Sequence, residues 1–230
     1  MCRSGHSGLN GGYVLKMNSP ELSFEEWFTT LSNFKSRDEL WDCDIRMNTL
    51  PPDVIATYLE RLLRQSPALC ADMDPEQIGF MIWFFQGRAS EYWSDVRGKG
   101  VSDEQQISTV TALKVFYTEF LDPYFVNSRH SDIGEAGDAV YMMWDMDCLE
   151  GAAMFPGWEH LVQPILDVLN AALWCKSYEC QRSALHGLGH LHSYHPDRVE
   201  REIDLALKRS GHIKLSLFEY AKEARRGRVQ

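Results

Sequence analysis

The chain has 230 residues, of which 44% are hydrophobic and 12% aromatic, enough apolar material for one sizeable core or two small ones. Its formal net charge of −10 disfavours nucleic acid as a direct ligand, because phosphate binding requires a basic face. The longest strongly apolar run, Ile78 to Phe85, is far too short to span a membrane, so we expect no membrane partner.

The chain divides into a short leading segment and one long body. Residues 1–17 are rich in Gly and Ser and are predicted to be flexible and disordered. They lack the apolar segment of a secretory signal, so we expect a cytoplasmic protein. Residues 18–230 are predicted to form a single all-α domain, and the loop near 98–101 is the best internal boundary.

Three helices are predicted in the first hundred residues. Ser23 and Glu26 form a capping box ahead of apolar residues at helical spacing. Pro51–Pro52 opens a second helix, which Ser66–Pro67 should close. Asp74–Gln77 starts a third helix, whose apolar residues cover so much of its circumference that we expect it to be buried.

The second half is also predicted to be helical. Ser102 caps a helix that Asp122–Pro123 should end. Further helices are predicted over Ala139–Leu149, Trp158–Trp174 and the final segment Ile213–Arg226. There is no convincing strand pattern and no Asn-Gly or Asp-Gly hairpin, so we predict an all-α fold.

The stretch from Ser177 to Gly211 reads as two helices with a tight break. Ser177 is a good N-cap, Pro196 fits the first turn of the second helix, and Gly211 is placed to terminate it. Gly187 and Gly189 each cost roughly 0.5–1 kcal/mol relative to Ala. They are tolerable where another helix backbone comes close.

This stretch resembles a HEAT-type repeat, with a Leu-rich core at SALHGLGHL and a break before PDRVEREIDLAL. Ala139–Met146 and Ala184–Leu191 can be set against each other about 45 residues apart, within the range of such repeats. The resemblance implies antiparallel helix pairs forming a short α-solenoid with a binding surface. It names no substrate, and the histidines depart from the usual pattern.

Two of those histidines suggest a metal site. His186 and His190 share one helical face, and an i, i+4 histidine pair binds zinc in H-E-x-x-H helices. Here Gly187 occupies the position of the general-base glutamate. A third ligand would have to come from elsewhere: His160, Glu179 or an aspartate around Asp145–Asp147.

The alternative is that these histidines belong to a polar face. They would share it with Glu179 and Arg182, facing solvent, a neighbouring helix or a partner. Only two ligands are co-facial, whereas zinc usually has three or four, so we favour this reading and predict no metal or other cofactor.

Neither the acidic residues nor the cysteines define a catalytic site. Asp145 and Asp147 diverge on a helix, so a solvated acidic face is favoured over an acid/base pair; if this helix lines the groove of a solenoid, these acids become candidates for binding a basic partner. The six cysteines form no CxxC pair and are expected to be reduced thiols. No G-x-S-x-G, P-loop or G-x-G-x-x-G pattern is present.

We therefore predict a non-enzymatic protein-binding module. Small acidic HEAT-like proteins of this kind resemble bacterial immunity proteins, which implies a basic toxin as the partner. The alternative is a metal-dependent hydrolase centred on His186 and His190, and a scaffold subunit is a third possibility. The partner-binding candidates are His186, His190, Glu179, Arg182, Asp145 and Asp147.

Overall fold

The computed structural model describes residues 22–36, 38–40, 47, 49–88, 92–128, 133–145 and 149–229. Within these ranges every regular element is helical and there is no β-strand, which confirms the all-α prediction. The predicted flexible segment 1–17 lies outside the described residues. The α-helices are α1 (Phe24–Ser32), α2 (Pro52–Leu69), α3 (Pro75–Trp83), α4 (Tyr92–Val96), α5 (Asp103–Val115), α6 (Asp122–Asn127), α7 (Gly134–Tyr141), α8 (Glu150–Met154), α9 (Glu159–Leu173), α10 (Tyr178–Leu191), α11 (Pro196–Lys208) and α12 (Phe218–Ala224).

The predicted helix starts are confirmed by their capping bonds. At α1 and α3 the capping boxes of Ser23 and Asp74 are complete, with both reciprocal hydrogen bonds formed. Ser102 and Ser177 each accept a hydrogen bond from a backbone N–H three residues further on. Each cap satisfies amides that the helix itself leaves without partners.

The prediction that Ser66–Pro67 ends the second helix is wrong, because α2 continues to Leu69 with Pro67 inside its last turn. Proline has no N–H to donate to the carbonyl four residues earlier. The Ser66 hydroxyl donates to the Leu63 carbonyl at 3.0 Å and so replaces that missing donor.

Asp122–Pro123 does not end the helical path either. A π-helical segment, Phe116–Leu121, carries α5 into α6, and Pro123 is the second residue of α6. The Asp122 carboxylate accepts hydrogen bonds from the backbone amides of Lys176 and Ser177 at 2.8 and 2.7 Å. It therefore fixes the start of α10.

The helix predicted over Ala139–Leu149 lies earlier in the chain. It begins at Gly134, passes into a 3₁₀ turn at Met142–Trp144, and ends at Asp145. Residues 146–148 are outside the described part of the chain, and α8 begins at Glu150. Because the helix ends early, Asp145 lies directly after a turn and not inside a helix.

One row of helices is formed by α2, α5 and α9, which pack along their lengths with their starts adjacent. Gln105, near the start of α5, donates to the Thr57 hydroxyl of α2 at 3.0 Å. The neighbouring Gln106 bonds His160, near the start of α9, at 2.8 Å. Since the starts lie side by side, the three helices run in the same direction.

A second row is formed by α3, α7, α10 and α12. Gln86, just after α3, donates to the Ala139 carbonyl of α7, and Ser183 of α10 donates to the Val140 carbonyl. Helix α10 lies between α7 and α12 and also packs on α9, so eleven of its fourteen residues are buried. It is the central element of the described structure.

The buried hydrophobic residues of the described ranges form one contiguous cluster. The cluster includes residues on both sides of the loop near 98–101. Trp158 reaches that loop, donating from its indole N–H to the Arg97 carbonyl at 3.4 Å.

Candidate metal centre on helix α10

Three side chains of the described structure converge at one end of α10. The Nε2 atoms of His186 and His190 lie 3.1 Å apart. One oxygen of Asp145 lies 3.2 Å from the Nε2 of His190 and 3.8 Å from that of His186. We call these three residues the Asp-His-His cluster.

Local structure explains why the three side chains meet. His186 and His190 are one helical turn apart and share a face of α10. Asp145 follows the 3₁₀ turn that ends α7, directly after Trp144. The Trp144 ring is fully buried and its indole N–H donates to the Tyr117 hydroxyl at 2.9 Å, so the residue that precedes Asp145 is firmly anchored.

His186 is held on two sides by tyrosines. Its Nδ1 lies 2.7 Å from the Tyr220 hydroxyl of α12, and its ring centroid lies 4.5 Å from that of Tyr141. Burial and the adjacent His190 lower the pKa of His186 to about 4, so its imidazole is neutral at neutral pH. Burial also raises the pKa of Tyr220, so its phenol stays protonated.

The cluster has a closed side and an open side. The His186 side chain is only 1% exposed, whereas those of His190 and Asp145 are 28% and 37% exposed. A small solute or ion can therefore approach from the side of Asp145 and His190. The chemistry available is that of two imidazoles and one carboxyl group, a donor set that holds either a shared proton or a metal ion.

The other sequence-predicted residues fall in different places. Glu179 and His186 face neighbouring helices and are buried. Arg182 is half-buried, with its guanidinium 3.6 Å above the Tyr141 ring. His160 bonds Gln106 rather than joining the cluster. Of the third ligands considered from sequence, the structure brings Asp145 to the histidine pair, while Asp147 lies outside the described residues.

Tyr141 and Tyr220 were missed by sequence reasoning. Tyr220 is 34 residues from His186 and no motif connects them. Tyr141 lies on α7, where helical periodicity alone does not indicate contact with α10. The contacts of both tyrosines with His186 can be recognised only once the packing of α7, α10 and α12 is known.

A second group of metal-type ligands consists of Asp122, Cys175 and Cys180. Both cysteines are buried free thiols, as expected of reduced cysteines. Burial raises the pKa of the Cys180 thiol well above its usual value, whereas a metal ligand must be a thiolate. Asp122 is occupied by the two amides that precede α10, so this group is explained by helix capping.

An open groove runs beside the start of α10. It consists of a hollow of about 520 Å³ between the end of α6 and the start of α10, adjoining one of about 210 Å³ against α7. Glu179 and Tyr178 line both parts. Arg182 and Tyr141 line the smaller part, which leads towards the Asp-His-His cluster.

The negative charge of the chain is concentrated in one stretch. Residues 101–173 contain twelve of the 33 acidic residues but only two of the 23 basic ones, so acidic and basic residues are equal in number outside this stretch. The described part of this stretch contains ten of these acidic residues, and seven of them are exposed. The exposed ones are Asp103, Glu104, Glu119, Asp138, Asp145, Glu159 and Asp167.

Comparison with protein families, with curated proteins and with solved structures finds no match to this chain. Among the described residues, no helix combines the length and apolar character needed to cross a membrane.

Proposed function

We propose that the protein is a non-enzymatic binding module that engages a basic protein partner through the exposed carboxylates of residues 101–173. The observation that carries the proposal is that this stretch accounts for the whole net charge of −10. Lys114 is its only basic residue in the described ranges. Such a concentration of one sign attracts an oppositely charged partner and speeds the encounter.

The helical rows support this proposal. We assign α9 with α10, and α11 with α12, which pack against each other, as helix pairs of a short HEAT-like α-solenoid. Ser183 of α10 and its hydrogen-bond partner Val140 of α7 are 43 residues apart, within the 40–47 residues typical of HEAT and armadillo repeats. Stacked pairs of this kind present extended surfaces that suit protein binding.

More specifically, we propose that the protein is an immunity protein that neutralises a basic bacterial toxin by covering it. An immunity protein needs rapid and tight capture rather than turnover. Electrostatic steering by exposed carboxylates raises association rates by roughly 10 to 1,000-fold at low salt. The groove beside α10 adds apolar side chains, including the exposed Val126, and is also lined by Lys176 and Lys214.

A metal-dependent hydrolase is the alternative, and the convergence of Asp145 with the histidine pair is the observation in its favour. Hydrolysis by metal sites of the H-E-x-x-H type also uses a general base beside the metal. Gly187 takes the place of the glutamate of H-E-x-x-H helices. Within the described residues the cluster has three members and no additional carboxylate. We therefore place binding ahead of hydrolysis.

The test compares two charge variants of the tagged chain, expressed in its native cell and purified at low salt. The acidic-surface variant neutralises three exposed carboxylates: Glu119→Gln, Asp138→Asn and Asp167→Asn. The matched control neutralises three exposed carboxylates outside the stretch: Asp72→Asn, Glu76→Gln and Asp197→Asn. Circular dichroism confirms that both variants are folded.

We expect one stoichiometric partner with a pI above about 9, the range of strongly basic domains. The purified partner should associate about ten-fold more slowly with the acidic-surface variant than with the control, and the difference should shrink as salt is added. Co-expression of the chain should also relieve any toxicity of the partner. Equal association rates for the two variants, or the absence of a basic partner, would refute the proposal.

A further inference from the structure

We propose that Asp145, His186 and His190 together bind one divalent first-row transition metal ion, of the zinc or ferrous iron class. This inference does not depend on protein binding, because it rests on the geometry of three side chains and not on the charge of the surface. It assigns to the Asp-His-His cluster a ligand that is independent of any partner.

The separations within the cluster match a single ion. The three ligand atoms form a triangle with edges of 3.1, 3.2 and 3.8 Å. The centre of such a triangle lies about 2.0 Å from each corner, and zinc bonds to imidazole nitrogen and carboxylate oxygen measure about 2.0–2.2 Å. An ion slightly above the plane of the three atoms can therefore contact all of them without side-chain movement.

The surroundings of His186 prepare its Nε2 as a ligand. The Nδ1 atom lies 2.7 Å from the Tyr220 hydroxyl, so an Nδ1–H donor to that oxygen leaves the Nε2 lone pair directed into the cluster. Metal-binding histidines almost always use their second ring nitrogen in this way. The Tyr141 ring packs against the imidazole and restricts its rotation.

The donor set selects the kind of ion. Two imidazoles and one carboxylate suit zinc and non-haem iron, whereas calcium and magnesium prefer oxygen ligands throughout. Three protein ligands leave coordination positions free, and the exposed edges of His190 and Asp145 place those positions towards solvent. Water can complete the coordination.

A metal-free hydrogen-bond network is the competing explanation. A single Nε2–H of His190 can be shared between the Nε2 of His186 at 3.1 Å and the Asp145 oxygen at 3.2 Å. That network predicts no stoichiometric ion and no selectivity among metals. The two explanations therefore differ in a quantity that can be measured directly.

The experiment is a metal titration of the full chain after chelator treatment. Zinc binding is followed by competition with a chromophoric chelator, and cobalt binding by its visible absorption, which reports the ligand set. The ligand variants are His190→Gln and Asp145→Asn, both at partly exposed positions that a folded chain tolerates. The matched control is His192→Gln, a histidine of the same segment whose ring contacts Glu200 and not the cluster.

We expect one ion per chain and an affinity at least about 100-fold weaker in either ligand variant, beyond the 10–100-fold typical of changing a residue that only orients a ligand. Tyr220→Phe should weaken binding about ten-fold and His192→Gln should leave it unchanged. The proposal is overturned if the unaltered chain binds no stoichiometric ion, or if His190→Gln and His192→Gln bind alike. Partner association, measured separately, is unaffected by that outcome.

Discussion

Replacing Gly79 with alanine tests the close approach of α3 and α7. A Cβ atom at this position would lie 2.4 Å from the Cβ of Glu135 and 2.5 Å from its carbonyl carbon. It would also lie 2.8 Å from the backbone nitrogen of Ala136. Carbon atoms in good contact are about 3.5–4.0 Å apart, so the two helices must separate by about 1 Å.

Two opposing effects set the magnitude of the change. Alanine is favoured over glycine in a helix interior by about 1 kcal/mol. Overpacking a well-filled core costs typically 1–3 kcal/mol, and we take the upper end because Gly79 faces backbone atoms, which cannot rotate away. The net loss in the free energy of unfolding is therefore about 2 kcal/mol, which lowers the Tm by about 4–8 °C in a chain of this length.

Thermal and urea unfolding, followed by circular dichroism, measure this loss. The control is Gly189→Ala, whose new Cβ would meet the Val229 side chain at 2.4 Å. Val229 follows α12 in an irregular segment and can shift, so we expect a change within about 1 kcal/mol. Equal stability of the two variants would show that α3 and α7 can separate at little cost in free energy, and would refute this prediction.

Three further predictions concern buried and exposed polar groups. Tyr117→Phe leaves the buried indole N–H of Trp144 without its acceptor and should lower the free energy of unfolding by about 2 kcal/mol in urea titrations; an unchanged midpoint would contradict this. Burial raises the pKa of the Cys70 thiol to about 12, so mass spectrometry should find this cysteine unlabelled by thiol reagents at pH 8 until the chain unfolds. The unfolded thiol ionises near pH 8.5, whereas the folded thiol keeps its proton. The free energy of unfolding should therefore fall as the pH rises above that value, and Cys70→Ala should remove this pH dependence. Glu25→Gln removes the exposed ion pair with Arg61 and should leave the urea midpoint of unfolding unchanged; a lower midpoint would show that exposed pairs matter here.

Features governed by local contacts could be predicted from the sequence. The capping serines and Asp74 act within three residues of themselves, so the starts of α1, α3, α5 and α10 were predictable. Helix ends were harder to predict from the sequence than helix starts. Pro67 was expected to stop α2, but the hydroxyl of the preceding Ser66 supplies the hydrogen bond that proline cannot make.

The candidate site could be predicted only in part. The i, i+4 spacing placed His186 and His190 on one face, because that relation is internal to one helix. The identity of the third group stayed open among His160, Glu179 and Asp145–Asp147, since helical periodicity gives no relation between helices. The early end of α7 and the anchored Trp144 decide in favour of Asp145.

The order in which the helices are stacked bears on how the chain folds. Side-by-side contacts within the rows join residues 34 to 54 positions apart, as between His186 and Tyr220 or His160 and Gln106. Loop-closure entropy grows only logarithmically with length, so each added layer carries a similar kinetic penalty. Folding can then nucleate in one layer and spread along the rows. Hydrogen exchange should be slowest in α10, which is enclosed by neighbours on several sides, and faster in α12, which packs against it.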